Sequence, residues 1–173
     1  MDYGAEVPFI RPVELSTDTA SSASVIKHAL EWIEKDEGEK YDFVIELMCT
    51  NPLKNVYDID SCIEKLINTG ADSVIAVHKI EDHHPIRVKK IVNDFIENFC
   101  LPEILESRRQ DLKPEAYVRS GSIYALSRNY FIEYGARYGS KNSRPYILPE
   151  ERAINIDTEN DFIIAEHIIK KLK

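Results

Sequence analysis

Between Tyr41 and Val77 the chain reads strand, helix, strand with short connections, and that run constrains the architecture more than any other feature. Phe43, Val44, Ile45 and Leu47 form a compact apolar run within Tyr41–Met48, suited to a buried parallel strand covered on both faces. Asn51-Pro52 interrupts it. Asp58 is placed to cap a helix carrying Ile59, Cys62, Ile63, Leu66 and Ile67 at helical spacing, and Gly70 closes that helix. A second apolar strand runs from Ser73 to Val77. A unit of this kind crosses over right-handedly within one sheet, so the expected class is α/β.

The flanking segments extend the pattern. Ser21 and Ser22 precede Val25, Ile26, Ala29, Leu30 and Ile33 at helical spacing, with Gly38 as the stop. Beyond the second strand, Glu81 to Pro114 is irregular, with a possible strand at Val88 to Val92, and reads as an insertion or arm. Order returns with a strand over Gly121 to Leu126, a helix near Asn129 to Gly135 and a short strand at Pro145 to Leu148. The last helix carries a variant capping box, Thr158 with Asp161, and an expected buried stripe of Phe162, Ile163, Ala165, Ile168 and Ile169.

A chain of 173 residues that is 43% hydrophobic can build one sizeable core, so a single domain over 1–173 is expected, with the arm at about 81–114. The net charge of −8 is spread along the chain and no basic tract appears, which argues against a nucleic-acid partner. The three cysteines, Cys49, Cys62 and Cys100, form no paired pattern and fit a reducing compartment. No leader is visible and no apolar run approaches the roughly 18 residues of a membrane helix. A cytoplasmic protein without a membrane partner is the expectation.

Ligands of open α/β sheets bind beyond the carboxyl ends of the strands. Three such places carry useful side chains. Arg11 follows Phe9-Ile10, and Thr50 to Lys54 follows the strand at Tyr41–Met48, where a turn suffices as explanation. At Asn155-Ile156-Asp157, alternation puts two oxygen-bearing side chains on one face of a strand end. Two hard oxygens suit Mg²⁺, whereas the simpler reading makes Asp157 a helix cap. His83-His84 have no third ligand at suitable spacing, and no glycine-rich phosphate cradle is present.

Taken together, Arg11-Pro12-Val13-Glu14-Leu15, Asp18-Thr19-Ala20-Ser21-Ser22 and His28-Ala29-Leu30-Glu31 resemble the opening motifs of CMP-N-acylneuraminate (CMP-sialic acid) synthetases. The resemblance continues in order through Asn51-Pro52-Leu53-Lys54, His83-His84-Pro85, Arg109-Gln110-Asp111-Leu112, Gly121-Ser122-Ile123-Tyr124 and Ile156-Asp157-Thr158-Glu159 with Asp161. It implies a Rossmann-like three-layer nucleotidyltransferase sheet with a dimerisation arm. It also implies a homodimer, CTP and an acidic nonulosonic sugar as substrates, Mg²⁺ as cofactor and pyrophosphate as leaving group. Relatives that activate pseudaminic, legionaminic or octulosonic acids share the scaffold, so the reaction class is better defined than the sugar.

Residue by residue, the resemblance implies nucleotide contacts at Arg11 and Ser22, and sugar contacts at Arg87, Glu106, Arg109 and Tyr124. Catalytic weight falls on Asp157 and Arg109, with Asp157 and Asn155 at the metal. Three positions depart from the family. Met48 stands in place of a glutamine, Asn155 in place of the first aspartate of a D-x-D pair, and Ser120 in place of an asparagine. The match also begins after the family's phosphate-binding loop and first strands. The expectation is therefore a shortened or split member, inactive alone, with a non-catalytic remnant or partner subunit as the alternative.

Overall fold

Helix α1 (Ser22–Glu37) starts where Ser21 Oγ accepts the Ser24 N–H at 3.1 Å. It stops at Gly38, whose left-handed φ of 74° lets its N–H close on Glu34 O. These are the boundaries the serine pair and the glycine imply. The computed structural model describes residues 4–172. Its further elements are β1 (Phe43–Leu47), α2 (Val56–Thr69), β2 (Ser73–Ile80), β3 (Lys89–Val92), β4 (Phe95–Asn98), β5 (Ala116–Ser127), α3 (Arg128–Tyr134), β6 (Ser143–Ile147) and α4 (Glu159–Leu172).

The fold is mixed α/β. One sheet has the strand order β1-β5-β2-β6, and β3 and β4 form a separate two-stranded sheet. Strand β1 pairs antiparallel with β5, from Phe43 opposite Ser127 to Leu47 opposite Ile123. Strands β2 and β6 run in the same sense: Asp72 N–H bonds Asn142 O, and Leu148 N–H bonds Val77 O. The expectation that Tyr41–Met48 forms a parallel strand covered on both faces is corrected here. Strand β1 closes one end of the strand order, its hydrogen-bonded neighbour is antiparallel, and Phe43 and Leu47 are exposed. A compact apolar run satisfies either pairing, and its neighbour β5 lies far along the chain.

The chain divides into two compact units. The first comprises Met1–Met48, Val56–Ile75 and Ile123–Tyr146. Its core gathers Leu30, Ile75, Tyr124, Leu126 and Phe131, with Ile26, Val44 and Met48 packed against them. Truncating a side chain as fully buried as Leu126 costs about 2–5 kcal/mol. Arg128 clamps Glu34 through two bonds, Nε to Oε1 at 2.5 Å and Nη2 to Oε2 at 2.7 Å, and holds that carboxyl below the usual range. Asp58, expected as a cap, instead lies inside the first turn of α2. It is fully buried, and its Oδ1 accepts the Tyr146 hydroxyl at 3.0 Å.

The second unit comprises Cys49–Asn55, Ala76–Ser122 and Ile147–Lys173. Its 81–114 segment contains the hairpin β3–β4, joined at Asn93-Asp94, both with positive φ (50° and 67°). Two such residues make the mirror-image turn whose twist suits a two-residue hairpin, and Asn and Asp tolerate it best after glycine. All eight hairpin residues are exposed, Ile91, Phe95 and Ile96 among them. His84 is buried; it accepts the Ile86 N–H at Nδ1 and meets Pro114 O at 2.9 Å through Nε2, so both ring nitrogens serve the loop. In α4 the expected buried stripe is corrected: Ala165 is buried, but Phe162 and Ile163 are exposed. Phe162, Ile163 and Ile164 span about 200° of helix surface, more than a single packed face covers.

Candidate active site at the mouth of the last helix

Three segments of the second unit meet before α4. Ile156 N–H bonds Thr50 O at 2.8 Å, which ties the 155–157 segment to the loop after β1; the expected strand end is corrected, since 153–158 is irregular chain between Arg152 and α4. Ser122 Oγ, on β5, donates to Asn51 Oδ1 at 2.9 Å, and both side chains are fully buried. Ser120 Oγ donates to Ala76 O at 3.0 Å and accepts the Ser122 N–H at 3.3 Å. Lys54 Nζ holds Asn51 O at 2.6 Å, and burial lowers the pKa of that ammonium. Between the serines, Gly121 adopts a left-handed φ of 69° that a side chain would strain.

A cavity of about 490 Å³ opens on this junction, lined by His78, Arg119, Ser120, Gly121, Asn155 and Asp157 among others. Asn155 Nδ2 donates to Asp157 Oδ2 at 2.6 Å. The α4 cap is built by the next residues: Asp161 Oδ2 accepts the N–H groups of Asp157 and Thr158 and the Thr158 hydroxyl, and Thr158 Oγ1 accepts the Asp161 N–H. Thr158 and Asp161 therefore do the work that the simpler reading assigned to the Asp157 side chain, and the Asp157 carboxylate is left to Asn155 and the cavity. Three buried polar atoms here lack a partner: Asn51 Nδ2, His78 Nδ1 and Asn155 Oδ1. Buried polar atoms are nearly always paired, so each of these three is free to take a hydrogen-bond partner from water or a ligand.

The other sequence-derived candidates have separate placements. Arg109 lines a second cavity, of about 230 Å³, with Lys79, Glu81 and Lys113. It bonds Asp82 at 2.6 Å, holding that carboxyl below its usual range, and lies 3.7 Å from Glu81. Arg87 Nη2 bonds Ser107 O at 2.7 Å and its Nε lies 4.0 Å from Glu103, while Glu106 is exposed at a φ of 57°. Arg11 and Ser22 belong to the first unit, Arg11 exposed and Ser22 in the first turn of α1. Tyr124 is a core residue of that unit, its ring beneath the Arg137 guanidinium at 4.6 Å and beside Tyr138. Conversely, Asn51 reads as a turn residue in sequence and proves to be a buried part of the junction.

For a divalent cation the fit is partial. Asp157 offers a carboxylate at the cavity, but Asn155 turns its nitrogen, not its oxygen, toward that carboxylate. Among the described residues no group of three or more His, Cys, Asp or Glu is gathered to enclose a metal ion.

The chain is similar to curated proteins over nearly its whole length. It is 30% identical over 176 residues to post-translational flagellin modification protein B of Campylobacter coli, covering 99% of this chain and 71% of that protein. It is 30% identical over 171 residues to a pseudaminic acid cytidylyltransferase of Campylobacter jejuni, covering 98% and 72%. To an N-acylneuraminate cytidylyltransferase of Escherichia coli it is 28% identical, covering 98% of this chain and 38% of that one. No protein-family model matches. Among solved structures, a CMP:2-keto-3-deoxy-manno-octonic acid synthetase complexed with CTP has the same fold, with a TM-score of 0.53, 16% identity and coverage of 90% of this chain and 70% of that one. No helix among the described residues is long and apolar enough to cross a membrane.

Proposed function

The chain belongs to the family of CMP-nonulosonic acid synthetases, and from that premise we propose that it transfers CMP from CTP to an acidic nonulosonic sugar. In this reaction the sugar's anomeric hydroxyl attacks the α-phosphorus of CTP and pyrophosphate leaves. Catalysis of such a displacement consists mainly of positioning and charge stabilisation. The observation that carries the reading is the Asp157 carboxylate, free of the α4 cap and lining a cavity with Ser120, Gly121 and Arg119.

In this reading Asp157 holds Mg²⁺, which supplies shielding of phosphate charge when bound. Ser120, Gly121 and Asn155 shape the sugar side of the cavity, and Arg109 and Arg87 contribute the positive charge that an acidic sugar requires. Arg11 and Ser22 serve the cytidine nucleotide. The exposed hairpin β3–β4 joins two chains about a two-fold axis, since an isolated two-stranded ribbon exposing Ile91, Val92, Phe95 and Ile96 is poorly supported alone.

The test is product identity. The protein is incubated with CTP, Mg²⁺ and, in separate reactions, pseudaminic acid, N-acetylneuraminic acid and N,N'-diacetyllegionaminic acid. This reading departs from the expectation of a chain inactive alone: mass spectrometry should find a CMP conjugate of at least one sugar together with pyrophosphate. Release of pyrophosphate without a conjugate would mean simple CTP hydrolysis and would refute the reading.

A further inference from the structure

Asn155 uses its two polar atoms in opposite directions. Its Nδ2 donates to Asp157 Oδ2 at 2.6 Å, a charge-assisted bond that fixes the carboxylate. Its Oδ1 is buried without a partner, on the side where Gly121 has no side chain; a Cβ at Gly121 would come within 3.9 Å of that oxygen. An asparagine ligates a hard cation only through its oxygen. A cation between these two side chains would therefore have to break the bond to Asp157 and turn the amide over.

We infer that Asn155 is a positioning and specificity residue for the sugar and not a metal ligand: its nitrogen orients Asp157 and its oxygen accepts a hydrogen bond from the bound substrate. This rests on the cytidylyltransferase reading. The missing partner is a neutral O–H or N–H donor small enough to pass Gly121. An acidic sugar bearing hydroxyl and acylamino groups provides such donors, whereas a phosphate provides only acceptors. Ser120 and His78 line the same cavity beside Val118, Ile154 and Ile164, a mixed lining that suits a sugar with polar and apolar faces. A site that hydrogen-bonds its substrate through a buried oxygen discriminates strongly against a substrate lacking that donor.

The experiment compares wild type with Asn155→Ala and Asn155→Asp. Mn²⁺ alone is titrated by electron paramagnetic resonance. KM is measured separately for CTP and for N-acetylneuraminic acid, and for its analogue with a hydroxyl replacing the acetamido group. Asn155→Ala is expected to raise the sugar KM about tenfold or more, to leave the CTP KM within about twofold, and to weaken Mn²⁺ affinity by no more than about threefold, the share owed to the lost bond to Asp157. Asn155→Asp, which keeps an oxygen at that place but sets a second carboxylate against Asp157, is expected to give a sugar KM between those of wild type and Asn155→Ala. Equal effects on the two sugars identify a hydroxyl as the donor, and an effect lost with the analogue identifies the acylamino N–H.

The inference is overturned if Asn155→Ala weakens Mn²⁺ binding about tenfold or more while the sugar KM stands, or if neither moves. Should Asn155→Ala not fold, the uncharged Asn155→Ser takes its place, and a sugar KM within about twofold of wild type overturns the inference as well. Wild type that neither binds nor converts any of these sugars would instead remove the underlying cytidylyltransferase reading, and the inference with it.

Discussion

Ser122 on β5 and Asn51 in the loop after β1 are joined by a 2.9 Å hydrogen bond between two fully buried side chains. The bond ties the loop that follows one strand to the middle of another, beside the cavity that contains Asp157. Ser122→Ala removes the donor and leaves Asn51 Oδ1 buried beside an Nδ2 that already lacks a partner. A loss of about 1–3 kcal/mol in unfolding free energy is expected, read from urea melts. Unchanged stability would show that the pair does not hold the loop.

The cap of α4 is expected to behave as a separate device. Thr158→Ala should cost about 0.5–2 kcal/mol while leaving the Asp157 carboxylate in place. The Thr158 hydroxyl, followed by the Asp157 and Thr158 amides, holds the Asp161 carboxyl below its ordinary value. A depressed carboxyl stabilises the fold above its unfolded pKa, and that contribution is lost as pH falls through the folded one. Helical circular dichroism should therefore decline below about pH 4 in wild type, and less steeply in Asp161→Asn. Identical acid profiles would contradict the cap.

Local chemistry made much of this legible. Ser21 and Gly38 bound α1 in sequence as in structure, and Thr158 with Asp161 marks the start of α4, because caps depend on neighbours a few residues away. Asn155 and Asp157 do line one cavity, although the strand alternation that singled them out is absent, since 153–158 is irregular chain. Pairings between distant segments stay hidden: nothing near Phe43 announces that its partner is Ser127, nor anything near Asn51 that Ser122 will bond it. The β3–β4 turn was readable in principle, since Asn93-Asp94 separates two four-residue runs. The burial of Tyr124 beneath Arg137 was not legible either, since both partners of its ring lie more than ten residues along the chain.

The cysteines should separate by burial. Cys49 and Cys100 are exposed, whereas Cys62 is buried and burial pushes its thiol up to about 12. A thiol reagent at pH 8 is expected to modify Cys49 and Cys100 in the native protein, and Cys62 only after denaturation. Rapid native labelling of Cys62 would mean that α2 opens readily.

Assembly through the hairpin is tested by sedimentation at micromolar concentration. Wild type is expected to be a dimer, and Ile91→Lys with Ile96→Lys, a directly opposed exposed pair, a monomer with unchanged circular dichroism. A monomeric wild type would count against the arm.

Asp157→Asn tests the central claim most directly. Asparagine keeps the size of the side chain but loses the charge offered to Mg²⁺ and the charge-assisted bond from Asn155. The cap of α4 belongs to Thr158 and Asp161, so the melting temperature should stay within about 2 °C of wild type. Turnover of CTP and sugar to the CMP conjugate at limiting Mg²⁺ should fall by about 100-fold or more. Near-normal turnover in a variant with an unchanged melting temperature would contradict the assignment of Asp157 to the chemistry.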